Sequence, residues 1–119
     1  MIKIKRAYEA ASADDGYRVL VDRIWPRGIS KEKAAINEWL KEVAPSNELR
    51  KWFDHDPAKF SEFSEGYLEE LKDVDHQAAF ERLSQLTKEY DPLTLVYGAK
   101  DQEHNQAVVL KERLEQING

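Results

Sequence analysis

Basic and aromatic side chains cluster in one short segment of this 119-residue chain. Arg23, Trp25 and Arg27 lie within five positions, next to Pro26 and Gly28. An arginine guanidinium pairs bidentately with a carboxylate or a phosphate, and a tryptophan ring stacks on planar rings. The segment therefore predicts a site for a small anion. The alternatives are surface ion pairs for the two arginines and core packing for Trp25.

A histidine between two carboxylates is the second candidate. His55 follows Asp54 and precedes Asp56, a pattern that suits a general base with a raised pKa. Asp56 also precedes a proline, and this pair is typical of a helix start, so the alternative is a capping turn. No metal site is expected, because the other histidines are scattered and are predicted on polar helix faces, at His76 and His104.

The composition excludes several classes of function. The chain has no cysteine, which excludes disulfides, thiolate metal sites and cysteine nucleophiles. Its net charge is −5, although residues 1–33 carry eight basic and five acidic residues. An acidic protein is a poor general nucleic-acid binder. Neither a signal-peptide core nor an apolar run of membrane-spanning length occurs, so we expect a cytoplasmic protein with no membrane contact.

Three apolar segments predict strands. Residues 2–5 alternate between apolar and basic side chains, residues 17–24 are rich in β-branched side chains, and residues 93–97 are almost continuously apolar. The last pattern is typical of a central strand covered on both faces. Residues 38–43 suit either a strand or a helical turn, and we favour a strand.

Helices are predicted between the later strands. They cover residues 47–53, begin again at Asp56-Pro57 and at Asp75, and follow Asp101. The fold class is therefore α/β, with a small, at least partly parallel sheet of three to four strands covered by helices, and residues 1–119 form one domain. The apolar side chains predicted on the inward helix faces are Phe60, Phe63, Tyr67, Leu68, Leu71, Phe80, Leu83, Leu86, Tyr90, Ala107, Leu110, Leu114 and Ile117. Of these, we expect Phe60, Phe63, Leu68, Leu83, Leu110 and Leu114 to cover the sheet.

The strand ends bring the chemistry together. Ligands of open α/β sheets bind beyond the carboxyl ends of the strands. Residues 23–28, 44–46 and 98–101 follow three predicted strands. We therefore expect Arg23 or Arg27 to lie near Lys100 and Ser46 around one concavity. The helix predicted after Ser46 offers free backbone N–H groups in its first turn, although helix capping alone also explains the serine.

Several blocks of residues resemble a known family. They are RIWPRG at residues 23–28, Ala44-Pro45-Ser46, residues 49–56, and Tyr97 through Asp101 followed by Asn105. Together they resemble the YeaO-like proteins, a broad bacterial family called domain of unknown function 488. The resemblance implies a small single-domain α/β fold in the cytoplasm and implies no particular activity. It directs attention to Arg23, Trp25, Pro26, Arg27, Ser46, Arg50, Trp52, His55, Lys100, Asp101 and Asn105.

The chain departs from that pattern at one place. Relatives often carry cysteine and histidine near the turn after the last strand, whereas this chain has Lys100-Asp101 there. Thiol chemistry proposed for such relatives therefore does not transfer to it.

The leading functional hypothesis is a domain that binds a small anionic molecule, a nucleotide or a phosphorylated metabolite. The sequence leaves open whether it is also a hydrolase or transferase, and no cofactor motif is present. In this hypothesis three arginines hold the anion, a histidine or lysine transfers a proton, and a carboxylate orients the lysine; these are Arg23, Arg27, Arg50, His55, Lys100 and Asp101.

Two alternatives stay open. One is a protein-interaction module with Trp25 and Trp52 on its surface, and the other is nucleic-acid binding through the basic N-terminal third. The position of Trp25 separates ligand from partner, because a pocket wall favours a ligand and a flat patch favours a partner.

Overall fold

Four strands form one parallel sheet. The computed structural model describes residues 1–118, which contain β1 (Ile2–Arg6), β2 (Tyr17–Leu20), β3 (Glu38–Trp39) and β4 (Leu93–Tyr97). Their order across the sheet is β1-β4-β2-β3, and every pairing is parallel. The carboxyl ends of all four strands therefore share one edge. The predicted small α/β fold is confirmed.

The central position of β4 follows from its sequence. All five of its residues are buried, as expected of a strand covered on both faces. β1 lies beside it at an edge of the sheet. Ile2 and Ile4 pack into the main core, whereas the Lys5 ammonium pairs with Asp15 at 3.1 Å. The alternation predicted for the first strand is confirmed.

β2 and β3 are shorter than the sequence predicts. β2 ends at Leu20 rather than near residue 24. Val21 still donates its N–H to Val96 at 3.0 Å, but the next carbonyl, that of Asp22, accepts from the Trp39 indole at 2.6 Å. The Trp39 side chain thus supplies the hydrogen bond that a backbone N–H of a neighbouring strand would otherwise make, and β2 does not continue past this point. Only Glu38–Trp39 of the predicted third strand forms a strand, and residues 41–43 form a 3-10 turn.

Residues 1–118 contain five α-helices: α1 (Lys31–Ala34), α2 (Asn47–Phe53), α3 (Phe60–Glu70), α4 (Gln77–Glu89) and α5 (Gln106–Asn118). The first four lie between strands, and α5 follows β4. The predicted cap at Asp56 is confirmed, since its carboxylate accepts from the Ala58 N–H at 3.0 Å. No helix within residues 1–118 is both long and apolar enough to cross a membrane.

The start of α4 differs from the prediction. The helix begins at Gln77 rather than at Asp75. The Asp73 carboxylate accepts the backbone N–H groups of Asp75 and His76, each at 3.0 Å, and holds these residues in a turn. Asp75, from which the sequence predicts the helix start, therefore lies in the turn before the helix.

The two faces of the sheet are covered unequally. The main core lies between the sheet and the longer helices, with Leu95, Leu83 and Leu110 fully buried in it. On the other face, Trp25 and Trp39 belong to a smaller cluster around Leu20 and Val96.

Two side chains predicted on inward helix faces, those of Tyr90 and Ile117, are exposed instead. Tyr90 is 39% exposed and stacks on Tyr17, with the ring centroids 3.9 Å apart. It follows the last helical residue of α4, and its extended backbone turns the ring away from the core. Ile117 is 44% exposed in the last turn of α5.

Candidate functional site

Three loops meet at the carboxyl edge of the sheet and enclose a cleft of about 500 Å³. Residues 22–27 follow β2, residues 44–45 precede α2, and residues 98–99 follow β4. Side chains from the end of α2 and the start of α5 complete the wall. The loops converge because parallel strands place their carboxyl ends together, as the sequence predicts.

Arg23 is a cleft residue with a fixed orientation. Its guanidinium donates to the carbonyl of Ala44 at 3.0 Å and to that of Pro45 at 3.4 Å.

His76 is held behind this contact. The Ala44 carbonyl also contacts the Nε2 atom of His76 at 3.0 Å, while the Nδ1 atom of this ring contacts Asp73 at 2.7 Å. His76 is therefore buried, and its predicted place on a polar face is wrong.

Arg27 and Arg50 lie exposed at the same cleft. The Tyr8 hydroxyl donates to the backbone carbonyl of Arg27 at 2.9 Å, and the Arg50 guanidinium donates to the Asn47 amide oxygen at 3.1 Å. Within residues 1–118, neither these two arginines nor Arg23 has a carboxylate within 4.0 Å. The cleft thus carries three guanidinium groups without an acidic partner, and the surface ion pairs considered for two of them do not form.

Aromatic rings form part of the cleft wall. Trp25 is half-buried, and its indole N–H donates to the Ile29 carbonyl at 2.7 Å. Its ring meets the edge of Trp39 with the centroids 5.5 Å apart. Trp25 therefore packs in the smaller core and lines the cleft as well. Phe53 and Phe63 add apolar surface from the main core.

Asp22 supplies a carboxylate to the cleft. Its two oxygens accept from the Gly98 N–H at 2.8 Å and from the Gln106 side-chain amide at 2.6 Å. A Cβ on Gly98 would lie 2.8 Å from the carboxylate, so a larger residue at this position would displace the Asp22 side chain. Burial raises the pKa of Asp22 to about 6, against the lowering effect of these two donors and of Arg50.

His104 and Asp101 form a hydrogen-bonded pair beside the cleft. The Nδ1 atom of His104 lies 2.9 Å from an Asp101 carboxylate oxygen, and the ring packs edge-on against Phe60. Hydrogen bonds from the Glu103 backbone and from His104 lower the pKa of Asp101. His104 lines the cleft, so its predicted place on a polar helix face is wrong. Asp101 contacts this histidine rather than orienting Lys100.

His55 also lines the cleft, at the turn after α2. Both Asp54 and His55 have left-handed backbone conformations, with φ of 46° and 56°. Such conformations are uncommon for residues other than glycine, and they cluster at functional sites. The turn holds the exposed imidazole at the mouth of the cleft.

Three of the predicted site residues, Lys100, Ser46 and Asp101, do not line the cleft. Lys100 is exposed outside it. The Ser46 hydroxyl caps α2 by accepting from the Leu49 N–H at 3.1 Å and hydrogen-bonds to Glu70. Trp52 also lies outside the cleft, 42% exposed, with the Lys59 ammonium 5.2 Å from its ring.

Asn105 lines the cleft but is already engaged there. Its amide nitrogen donates to the Asp101 carbonyl at 2.9 Å, and its oxygen accepts from the Val108 N–H at 3.1 Å. It is buried and caps α5, so its role at the site is to hold the loop after β4 in place.

The sequence analysis missed Asp22, Gln106 and His104 as cleft residues. Asp22 is the first polar residue after the apolar part of β2, a position that points to the carboxyl edge of the sheet. His104 lies three residues after Asp101, the spacing of a side-chain pair within a turn. Within residues 1–118, no group of three His, Asp or Glu side chains is placed to hold a metal ion.

Comparisons with known proteins place this chain in a family. The family model described as "Inactive DUF488-N3 subclade" matches residues 1–118. The chain is 46% identical to the uncharacterised protein YeaO of Escherichia coli (strain K12) over 116 residues, 98% of each chain.

A second relative is an uncharacterised protein of Mycobacterium tuberculosis (strain H37Rv). It is 50% identical over 86 residues, which are 72% of this chain and 70% of the relative. No solved structure matches. The extent of the family match and the full-length identity to YeaO agree, and the chain belongs to the YeaO-like DUF488 family.

Proposed function

We propose that this protein binds a small organic anion, a nucleotide or a phosphorylated metabolite, in the cleft at the carboxyl edge of its sheet. The observation that carries the proposal is a set of three guanidinium groups at one cleft, none of which has a carboxylate within 4.0 Å in the described residues 1–118: Arg23, Arg27 and Arg50. Like charges around a cavity repel each other, and a bound anion offsets that repulsion. Arginine is suited to phosphate because its planar fork pairs with two oxygens.

The arrangement of Arg23 supports this proposal. Two of its five N–H donors are used by backbone carbonyls, at Ala44 and Pro45. The remaining donors stay in a fixed orientation, which lowers the entropic cost of binding a ligand. Arg27 and Arg50 are exposed, and the Arg50 guanidinium donates to the Asn47 amide oxygen at 3.1 Å. The set thus combines one half-buried guanidinium held by two backbone carbonyls with two exposed ones.

The aromatic wall favours a ligand over a protein partner. Trp25 lies in the concave surface of the cleft rather than on a flat patch, and Trp52 lies outside the cleft. A volume of about 500 Å³ falls within the range of small-molecule sites. The family description "inactive" supports binding without turnover.

Calorimetric titration with pyrophosphate, glucose 6-phosphate and guanosine monophosphate tests this proposal. At least one probe is expected to bind, and Arg50→Gln is expected to weaken that binding about tenfold or more. The matched control is Arg113→Gln, on α5 in a separate groove, which should bind as the parent does. The proposal fails if no probe binds, or if the Arg50 and Arg113 variants behave alike.

A second candidate function is proton-transfer chemistry on the bound anion. The observation that favours it is the pairing of His104 with Asp101, because a carboxylate at Nδ1 leaves Nε2 as the basic nitrogen. The reaction would be hydrolysis, in which water attacks phosphorus, the P–O bond to the leaving group breaks, and the imidazole takes the proton from water and returns it to the leaving oxygen. Release of phosphate from the same probes, lost in His104→Ala, would support this candidate. Recovery of every probe intact after incubation would leave binding alone.

A further inference from the structure

Asp22 is a negative charge in the cleft that the anion-binding proposal does not use. Both of its oxygens hydrogen-bond to neutral donors, the Gly98 N–H at 2.8 Å and the Gln106 amide at 2.6 Å. Within residues 1–118 no cation lies within 4.0 Å of it. A carboxylate has about four acceptor positions, so about two remain for a ligand.

The two signs of charge in one cleft restrict the ligand. A bare phosphate is attracted by Arg50 and repelled by Asp22. A molecule with an anionic group at one end and N–H donors at the other pairs with both groups. Burial of the Asp22 carboxylate strengthens this selection, because a half-buried charge without a partner is costly until a donor reaches it.

The cleft wall narrows the class further. Trp25 is half-buried and lines the cleft, whereas Phe53 and Phe63 line it from the core with only 5% and 2% of their surface exposed. The exposed part of the Trp25 ring suits a planar ring rather than a short phosphorylated amine. A ring with N–H donors on its edge and a phosphate attached is a nucleotide with an amino-bearing base. Asp and Glu side chains accept from such amino groups when proteins read bases.

We propose that Asp22 is a specificity-determining residue of this site and selects nucleotides whose base edge carries an amino group. The inference rests on the proposed anion-binding function. It assigns the arginines to the phosphate and Asp22 to the base.

Matched nucleotide pairs test the inference on the unmodified protein. Guanosine and inosine monophosphates differ by one amino group, and cytidine and uridine monophosphates differ by an amino group in place of a carbonyl. In at least one pair the aminated member is expected to bind about tenfold tighter or more, since a good base contact discriminates at that level. Equal affinity within both pairs would overturn the inference.

The variant Asp22→Asn adds an independent measurement. It keeps the shape of the side chain and one acceptor oxygen, and the Gln106 amide can rotate to match it. The preference within the pair should disappear while phosphate-dependent affinity remains; a preserved preference would overturn the inference. Asp14→Asn, an exposed carboxylate that makes no ion pair within residues 1–118, is the control and should keep the preference.

Failure of the inference is distinguishable from failure of the proposed function. If pyrophosphate or any nucleotide binds and Arg50→Gln weakens it, the anion site stands whatever the base preference. If none of the probes binds, the anion site and the inference fall together. Circular dichroism of Asp22→Asn establishes that the variant is folded, and the comparison on the unmodified protein does not depend on it.

Discussion

Two carboxylates flank the same strand, β2, and their surroundings are opposite. Asp15, before the amino end, pairs with the Arg18 guanidinium at 2.6 Å and with the Lys5 ammonium at 3.1 Å. Asp22, beyond the carboxyl end, accepts only from neutral donors. The charges at the amino end of the strand are therefore paired with one another, whereas at the carboxyl end, within residues 1–118, neither Asp22 nor the three cleft arginines has an oppositely charged group within 4.0 Å. The charges at the amino end stabilise the fold, and those at the carboxyl end are the ones on which the anion-binding proposal rests.

The pKa values of these two carboxyls move in opposite directions. Burial alone would raise the pKa of Asp15, but hydrogen bonds from the Ser12 backbone, Lys5 and Arg18 outweigh it and hold the pKa below its ordinary value. Burial raises the pKa of Asp22 to about 6, because its neutral donors and Arg50 offset only part of the desolvation. The ionised Asp15 therefore stabilises the fold, and the ionised Asp22 costs stability.

The largest expected effect is the loss of the Asp15 charge. Asp15→Asn leaves Arg18 buried without its partner, and breaking such a pair costs roughly 3–5 kcal/mol. Urea unfolding at neutral pH measures this loss, with Asp14→Asn as the control, expected within about 0.5 kcal/mol. The contribution of Asp15 is present above about pH 4 and is lost as the pH falls below that, because the native pKa is depressed. A loss under 1 kcal/mol would contradict the structural assignment of this edge.

Removing the Asp22 charge should act in the other direction. Between about pH 4 and pH 6 the native Asp22 holds a proton that the unfolded chain has released, so the stability of the parent falls as the pH rises through this window. Asp22→Asn removes that dependence. Its stability relative to the parent should therefore increase from pH 4 to pH 7 by up to about 3 kcal/mol. Thermal unfolding across this range measures the trend, and parallel curves for the two proteins would contradict it.

The exposed guanidinium of Arg27 tests whether the carboxyl edge contributes to binding without contributing to stability. Arg27→Ala should lower the affinity for a bound nucleotide about ten- to hundredfold, since a charge-assisted hydrogen bond contributes roughly 1.5–3 kcal/mol. Its side chain makes no hydrogen bond within residues 1–118, so unfolding should change by no more than about 0.5 kcal/mol. Calorimetry and thermal unfolding measure the two quantities. Reduced stability with unchanged affinity would make Arg27 a structural residue.

The sheet and most of its coverage follow from local patterns in the sequence. The apolar run of β4, the alternation of β1 and the Asp56 cap predict elements that the structure contains. Each of these predictions depends on hydrophobic periodicity or on two adjacent residues. Such patterns can be recognised in the sequence without knowing the fold. The early end of β2 depends on the Trp39 indole, seventeen residues further along the chain, and no local pattern contains it.

The site follows the same division. The convergence of the loops is a consequence of parallel strands, so it can be predicted once the strands are known. The partners of individual side chains cannot, because they depend on distances across the fold. Asp22 meets Gly98 and Gln106 from the far end of the chain, and Asp101 turns to His104 rather than to Lys100.

The smallest expected effect is at Glu38, the first residue of β3. Its carboxylate binds the Arg82 guanidinium through two hydrogen bonds of 3.0 Å and accepts from the Tyr17 hydroxyl at 3.0 Å. The Arg82 hydrogen bonds are the main cause of its lowered pKa. Unlike Asp15, this pair is open to solvent, so water and salt screen it. Glu38→Gln should therefore lower the free energy of unfolding by only about 0.2–1 kcal/mol, and this loss should shrink as salt is raised from about 0.05 M to about 0.5 M.

The stability that the Glu38 carboxylate contributes is present above about pH 4.5 and is lost at lower pH, because its native pKa lies below the ordinary value. Urea unfolding at both salt concentrations measures it. Suppose instead that Glu38→Gln lowers the free energy of unfolding as much as Asp15→Asn does, at both salt concentrations. The stability contributed by these carboxylates would then not depend on their burial. The contrast with Asp22 would in that case have to be tested by ligand binding alone.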